Sequence, residues 1–254
     1  MLRPLIVAVA LLLAGVEHAP APVPVLLELF TSEGCSSCPP ADALLSALTT
    51  ASIPGAQIVP LGLHVDYWDE QGWKDPASMP QATARQSAYA RALGDGDRIY
   101  TPQLVVDGRD GMVGTDAPAI RKAITRAVAS PHAIVALRVE REGAALVAHA
   151  TIDALPADAA RERIDVVLAV TEDDVTNVVK RGENAGRTLH HDAVVRSLAS
   201  LGRIEAAGEL TGRATLHPGW RRDRLHAAVF LQGRRSQRIW GAAIASVRDP
   251  SRWN

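Results

Sequence analysis

The segment Gly34-Cys35-Ser36-Ser37-Cys38-Pro39 limits the fold most tightly, because it separates two patterns of different period. Before it, Val25-Leu26-Leu27-Glu28-Leu29-Phe30 is a near-continuous apolar run, as in a strand covered on both faces. After it, Pro39 to Leu48 reads as a helix with prolines in its first turn and Leu44, Leu45 and Leu48 on one face. Ile58 to Val65 is a second apolar strand, so the chain opens with a βαβ unit that holds both its cysteines at the strand-to-helix turn.

A CxxC at that point has a direct chemical use. Free backbone N–H groups and the positive end of the helix dipole favour a thiolate at Cys35, which attacks a thiol or disulfide. Cys38, one turn along, resolves the mixed disulfide. A purely structural bond is the competing reading, but a four-residue loop stabilises by only about 2 kcal/mol, against about 3 for fifteen residues. Metal carriage by Cys35 and Cys38 is a third reading. Two thiolates do not complete a tetrahedral site, so it needs His64 or another imidazole.

Further along, residues 80 to 93 read as a helix with Ala84, Ala88 and Leu93 inward, and Leu104-Val105-Val106 as a third strand. Asp107 to Gly111 suits a hairpin turn into Met112-Val113-Gly114, and Asp116 caps a helix that runs to about Ala129. After Ser130-Pro131 the texture changes. Ile134 to Val139, Leu146 to Ile152, Ile164 to Val170, Leu225 to Leu231 and Ile239 to Val247 are short strand candidates separated by turn residues, which suggests a β-sandwich. The expected organisation is a signal peptide and Pro-rich lead over 1–24, an α/β thioredoxin-like N-terminal domain over 25–130, and a mostly-β sandwich-like C-terminal domain over 131–254.

Beside the cysteines, Thr101-Pro102 directly precedes the third strand. In thioredoxin-like folds a cis-proline at this point faces the CxxC and its backbone pairs with an extended substrate; the alternative is a trans proline that merely starts the strand. Glu28 interrupts an apolar strand and is a candidate proton acceptor for Cys38, or else an edge carboxylate turned to solvent. His64 and Asp66 close the second strand, at the edge where open α/β sheets place their sites, and read either as a hydrogen-bonded pair that shapes the long loop over 67–80 or as candidates for tuning the Cys35 thiolate. Trp68 and Trp73 follow in a long loop and read as packing beneath it. His190 and His191 are adjacent on a strand and point to opposite faces, which argues against one shared metal ion. Gly182 to Arg187 reads as a turn-rich loop lying against the first domain. No metal ligand set and no cofactor motif is expected.

The formal net charge of -1 excludes a broad basic surface for nucleic acid. Leu5 to Val16 is too short to span a bilayer, but after Arg3 it has the pattern of a secretory signal, implying export to the periplasm or outside, where disulfides persist.

Longer motifs carry a family resemblance. Leu27 to Asp42 (LELFTSEGCSSCPPAD), His64 to Asp69 (HVDYWD), Gly72 to Pro76 (GWKDP), Arg85-Gln86, Tyr89 and Tyr100 to Gly108 (YTPQLVVDG) closely resemble a family of secreted bacterial thioredoxin-like proteins. That family is catalogued as a domain of unknown function, number twelve twenty-three. Arg181 to Arg187, Leu189, His190 and Val194 to Arg196 resemble the same family, so the likeness runs over about 25 to 247. It implies a thioredoxin-like domain and export, and supplies no reaction. Ser36-Ser37 departs from the Gly-Pro of thioredoxin itself. The sequence thus points to an exported thiol–disulfide oxidoreductase acting on protein or small-molecule thiols and disulfides, with a redox partner protein. A thioredoxin-scaffold binding module with an inert disulfide and a metallochaperone using His64 remain the alternatives.

Overall fold

Proline placement and apolar spacing set the first elements of the structure, a computed structural model that describes residues 21–247. The signal-peptide reading falls on residues outside these. Strand β1 (Val23–Thr31) leads through the cysteine turn into helix α1 (Pro39–Thr50), which starts on two prolines and buries Ala41, Asp42, Leu45 and Leu48. Strand β2 (Ala56–His64), helix α2 (Pro80–Leu93), strands β3 (Gln103–Val106) and β4 (Asp110–Val113) and helix α3 (Ala117–Val128) follow. The Asp116 carboxylate accepts from the Ala119 N–H and caps α3. Nine further strands come next: β5 (Val135–Glu142), β6 (Ala145–Ile152), β7 (Ile164–Glu172), β8 (Val175–Val178), β9 (Thr188–His191), β10 (Val194–Ile204), β11 (Gly208–Thr215), β12 (Leu225–Gly233) and β13 (Ile239–Ser246).

The expected thioredoxin-like α/β domain followed by a separate sandwich is overturned. Strand accounts for 42% of the described residues and helix for 19%, with three α-helices. One mixed eight-stranded sheet, in the order β13-β12-β7-β10-β2-β1-β3-β4, takes four strands from each side of position 131. The splice is at β2 and β10, which run parallel with Val194 opposite Gly62, and the Gly62 N–H donates to the Ala193 carbonyl at 2.8 Å. A Cβ at Gly62 would stand 3.3 Å from two backbone oxygens, so glycine lets the strands close here. Gly108, in the β3–β4 turn, has a φ of +64°, and a Cβ there would meet the Gln237 carbonyl at 2.1 Å. Strand pairing between such distant segments leaves no local sequence pattern, which is why periodicity misses it.

Alternation assigns the faces. Val25, Leu27 and Leu29 of β1 pack against α1 and α3, whereas Leu26 and Phe30 share the opposite face with Tyr89 of α2. Farther along the sheet, Val166, Leu168, Val170 and Val229 pack against the antiparallel sheet β11-β6-β5. The inward face of α2 also differs from expectation: Ala82, Gln86, Tyr89 and Ala90 are buried and Ala84 is exposed. Polar partners, described below, rotate the helix away from its alanine stripe. Among the described residues no helix is long and apolar enough to cross a membrane.

Candidate functional site

Cys38 caps α1 with helical backbone angles (φ -77°, ψ -39°), and Pro39 and Pro40 fill the first helical positions. Cys35 and Cys38 form a disulfide with Cα atoms 5.4 Å apart. The motif lies at the surface through Ser36 and Ser37, which are exposed, but the cysteines are 1% and 0% exposed. The cover comes from the second half of the chain. Asn184 Nδ2 donates to the carbonyls of Glu33 and Cys35, each at 2.9 Å, and the Ser36 N–H donates to Glu183 Oε2 at 2.9 Å. Those hydrogen bonds from Ser36 hold the Glu183 carboxyl below its ordinary pKa. The 182–187 loop therefore does lie against the first half, directly on the cysteines.

The Thr101–Pro102 peptide bond is cis. Gly114 brings Pro102 to the start of α1, since a Cβ there would stand 3.1 Å from Ala41 Cβ and 3.2 Å from Pro102 Cβ. Trp68 joins the two loops: its Nε1 donates to Thr101 Oγ1 at 2.8 Å, and its Cβ lies 3.2 Å from where a Gly34 Cβ would be.

Beneath the disulfide lies a buried cluster of titratable groups. Thr31 and His64 are register partners at the ends of β1 and β2, on the α1 side of the sheet. His64 Nδ1 donates to Asp75 Oδ2 at 2.7 Å, and Asp75 also accepts from the N–H groups of Glu33 and Ala77, each at 2.8 Å. Burial pushes the Asp75 carboxyl up, but the His64 imidazole and these donors outweigh it and hold its pKa at about 2. The Glu33 carboxylate accepts from Trp73 Nε1 at 2.8 Å and Asn177 Nδ2 at 2.6 Å. His191, from β9, stands edge-on to His64 with ring centroids 4.9 Å apart. Its Nε2 is 3.5 Å from Glu33 Oε1 and its Nδ1 is 3.6 Å from Asp42 Oδ2. Those contacts are too long for good hydrogen bonds, so charge attraction holds the ring. Burial disfavours its cation, yet the Asp42 and Glu33 carboxylates prevail and lift its pKa to about 10.

Most of the chain, residues 26–232, matches the family described as protein of unknown function (DUF1223). The chain belongs to that family. A crystal structure of an Agrobacterium tumefaciens protein is 29% identical, with a TM-score of 0.67 over 91% of this chain and 97% of that one. HBP35 of Porphyromonas gingivalis, 17% identical, shares the fold with a TM-score of 0.68 over 93% of this chain and 80% of that one. No curated protein matches. Both structural likenesses run through both halves, as the continuous sheet requires.

Within this DUF1223 chain the residues singled out from sequence fall into two groups. Cys35, Cys38, Thr101, Pro102 and His64 converge on one region. Glu28 and Asp66 do not join them. Glu28 points to the α2 face, where Arg85 Nε pairs with Oε1, Arg85 Nη2 donates to Oε2 at 3.0 Å and Tyr89 OH donates to the same oxygen. Asp66 lies beyond the end of β2 and exchanges hydrogen bonds with Thr83. Sequence reasoning missed Glu33, Asp42 and Asp75, weighed His191 only as a metal ligand, and read Asn184 only as part of a loop. The nearest signal was that Glu33 and Asp42 flank the CxxC, four residues after Cys38 in the case of Asp42. Among the described residues no group of three or more His, Cys, Asp or Glu side chains is arranged to hold a metal ion.

Proposed function

We propose that the chain is an exported thiol–disulfide oxidoreductase in which Cys35 exchanges with a substrate sulfur and Cys38 resolves the mixed disulfide. The observation that carries this reading is the pairing of the Cys35–Cys38 disulfide at a helix N-terminus with a buried Glu33–Asp42–His191 cluster next to it. A disulfide that only staples gains little from a four-residue loop. Burying carboxylates and imidazoles beneath it costs desolvation that an apolar packing would avoid. Perturbed titrating groups of this kind are characteristic of sites that move protons. Thr101, Pro102 and Trp68 form the wall along which a substrate would lie, and the Glu183–Asn184 tip must shift for a substrate sulfur to reach Cys35.

That cover supports a second reading, a binding module with an inert disulfide, since both cysteines are buried. The reduction potential separates the two. Equilibration in glutathione or dithiothreitol buffers is expected to give a value between about -120 and -270 mV, the range of working oxidoreductases. A value below about -300 mV would mark a structural bond and overturn the enzyme reading.

A further inference from the structure

Cys38 is fully buried, so a sulfur that departs on it when the disulfide opens needs a partner inside the protein. When a sulfur attacks Cys35, the electron pair departs on Cys38 as a thiolate with no access to solvent, and an unpaired buried anion is costly. Asp42 stands four residues after Cys38, whose own backbone is helical, so the two side chains lie on one face of α1. The Asp42 N–H also donates to the Cys38 carbonyl at 3.1 Å. Asp42 Oδ2 and both ring nitrogens of His191 are buried and make no hydrogen bond, which is rare for groups removed from water. The charged or titratable groups around them are Glu33 from the β1–α1 turn, His64 from β2 and Asp75 from the loop after it. His64 and Asp75 are bonded to each other, which leaves His191 as the proton-bearing group shared between Asp42 and Glu33.

Resting on the redox reading above, we propose that Asp42 relays a proton between the His191 imidazolium and the Cys38 sulfur as the disulfide opens and closes. A thiolate of a substrate dithiol attacks Cys35 Sγ, forming a new S–S bond as the Cys35–Cys38 bond breaks. The electron pair leaves on Cys38 Sγ as the His191 imidazolium passes a proton through the Asp42 carboxylate to that sulfur, and His191 then regains its proton from solvent. The second sulfur of the substrate then attacks the mixed disulfide and releases Cys35 as a thiolate. The substrate has become a disulfide, and the protein has gained two electrons. In the opposite direction Cys38 returns its proton to Asp42 before it attacks. Asp42 is thus a catalytic residue in this scheme and His191 a positioning and supply residue.

The test is the rate of disulfide opening by dithiothreitol, followed on the full chain by timed alkylation of new thiols from pH 5 to 9. In the wild type the rate per dithiothreitol thiolate is expected to stay flat and to show a solvent deuterium isotope effect larger than that of glutathione disulfide. Asp42→Asn and His191→Gln are each expected to lose tenfold or more near pH 7, with a pH dependence that the wild type lacks. An isotope effect equal to that of glutathione disulfide overturns the relay, and so do folded variants with the wild-type pH profile. The isotope arm needs no variant and decides the matter if both substitutions prevent folding. Cys38→Ser, challenged with a glutathione mixed-disulfide assay, tests the parent reading separately. Trapping at Cys35 together with a normal isotope effect sinks the relay alone, whereas absence of both trapping and opening sinks the redox reading and the relay with it.

Discussion

Glu28 and His191 show how differently two buried ionisable residues announce themselves. Glu28 stands out in sequence because it breaks an apolar strand, and the structure answers it with an arginine 57 positions away. Arg85 also donates to Gln232 Oε1 at 2.7 Å, so one guanidinium ties β1, α2 and β12 together. Removing one member of such a pair leaves the other charge buried and costs about 3–5 kcal/mol. Arg85→Ala is therefore expected to lower the urea midpoint sharply. Because Glu28 points to the α2 face, the same variant should leave the reduction potential of the cysteines within about 30 mV, a tenfold change in equilibrium. A larger shift would return Glu28 to the redox site. His191 gave no such sign. It is one of two adjacent histidines, and nothing local reveals that alternation buries it against α1 while His190 stays exposed.

At the scale of elements, the turns and strands next to the cysteines were legible because proline, glycine and a sustained apolar run act locally. The face of α2 was not. Its alanine spacing suggested an inward stripe, but Arg85, Gln86 and Tyr89 have buried polar partners on β1, β3 and β12, and satisfying these outweighs the burial of small side chains. The 182–187 loop was legible as a loop, and its contact with the first half was anticipated, but not its target. Its Glu183 places a carboxylate on a backbone N–H of the CxxC turn, where it competes with a Cys35 thiolate for the same positive end of the helix. Glu183→Ala is expected to lower the Cys35 thiol pKa in the reduced protein and to speed opening by dithiothreitol severalfold. Glu183→Gln, which keeps an acceptor without the charge, should fall between the two. Because Glu183 is exposed, the difference should shrink as ionic strength rises. Equal rates in all three at low salt would show that the loop does not regulate the pair.

At the scale of the whole molecule, the consequence of the eight-stranded sheet is that the two halves share a core and the CxxC site needs both. Gly62 is where this can be probed. In Gly62→Val the new side chain meets the Asp192 and Ala193 carbonyls, and an overpacked site of this kind costs about 1–3 kcal/mol. Wild-type urea unfolding should be a single transition by near- and far-ultraviolet dichroism, and the variant should shift it lower or split it; an unchanged midpoint would mean that the sheet is not continuous across β2 and β10. The pH profile of stability follows from the cluster that this junction holds in place. Asp75 has its pKa depressed to about 2, so its stabilisation is present above the ordinary carboxylate value and is lost as pH falls through 2. His191 has its pKa raised to about 10, so its stabilisation is full below the ordinary imidazole value of 6.5 and is lost as pH rises toward 10. The urea midpoint of the oxidised protein should therefore climb from pH 2 to 4, hold to about 6.5 and decline beyond it. In His191→Gln the alkaline decline should flatten while the acid limb remains, and in Asp75→Asn the reverse should hold. An alkaline limb that survives His191→Gln unchanged would assign it to another group and remove the imidazolium from beneath the disulfide.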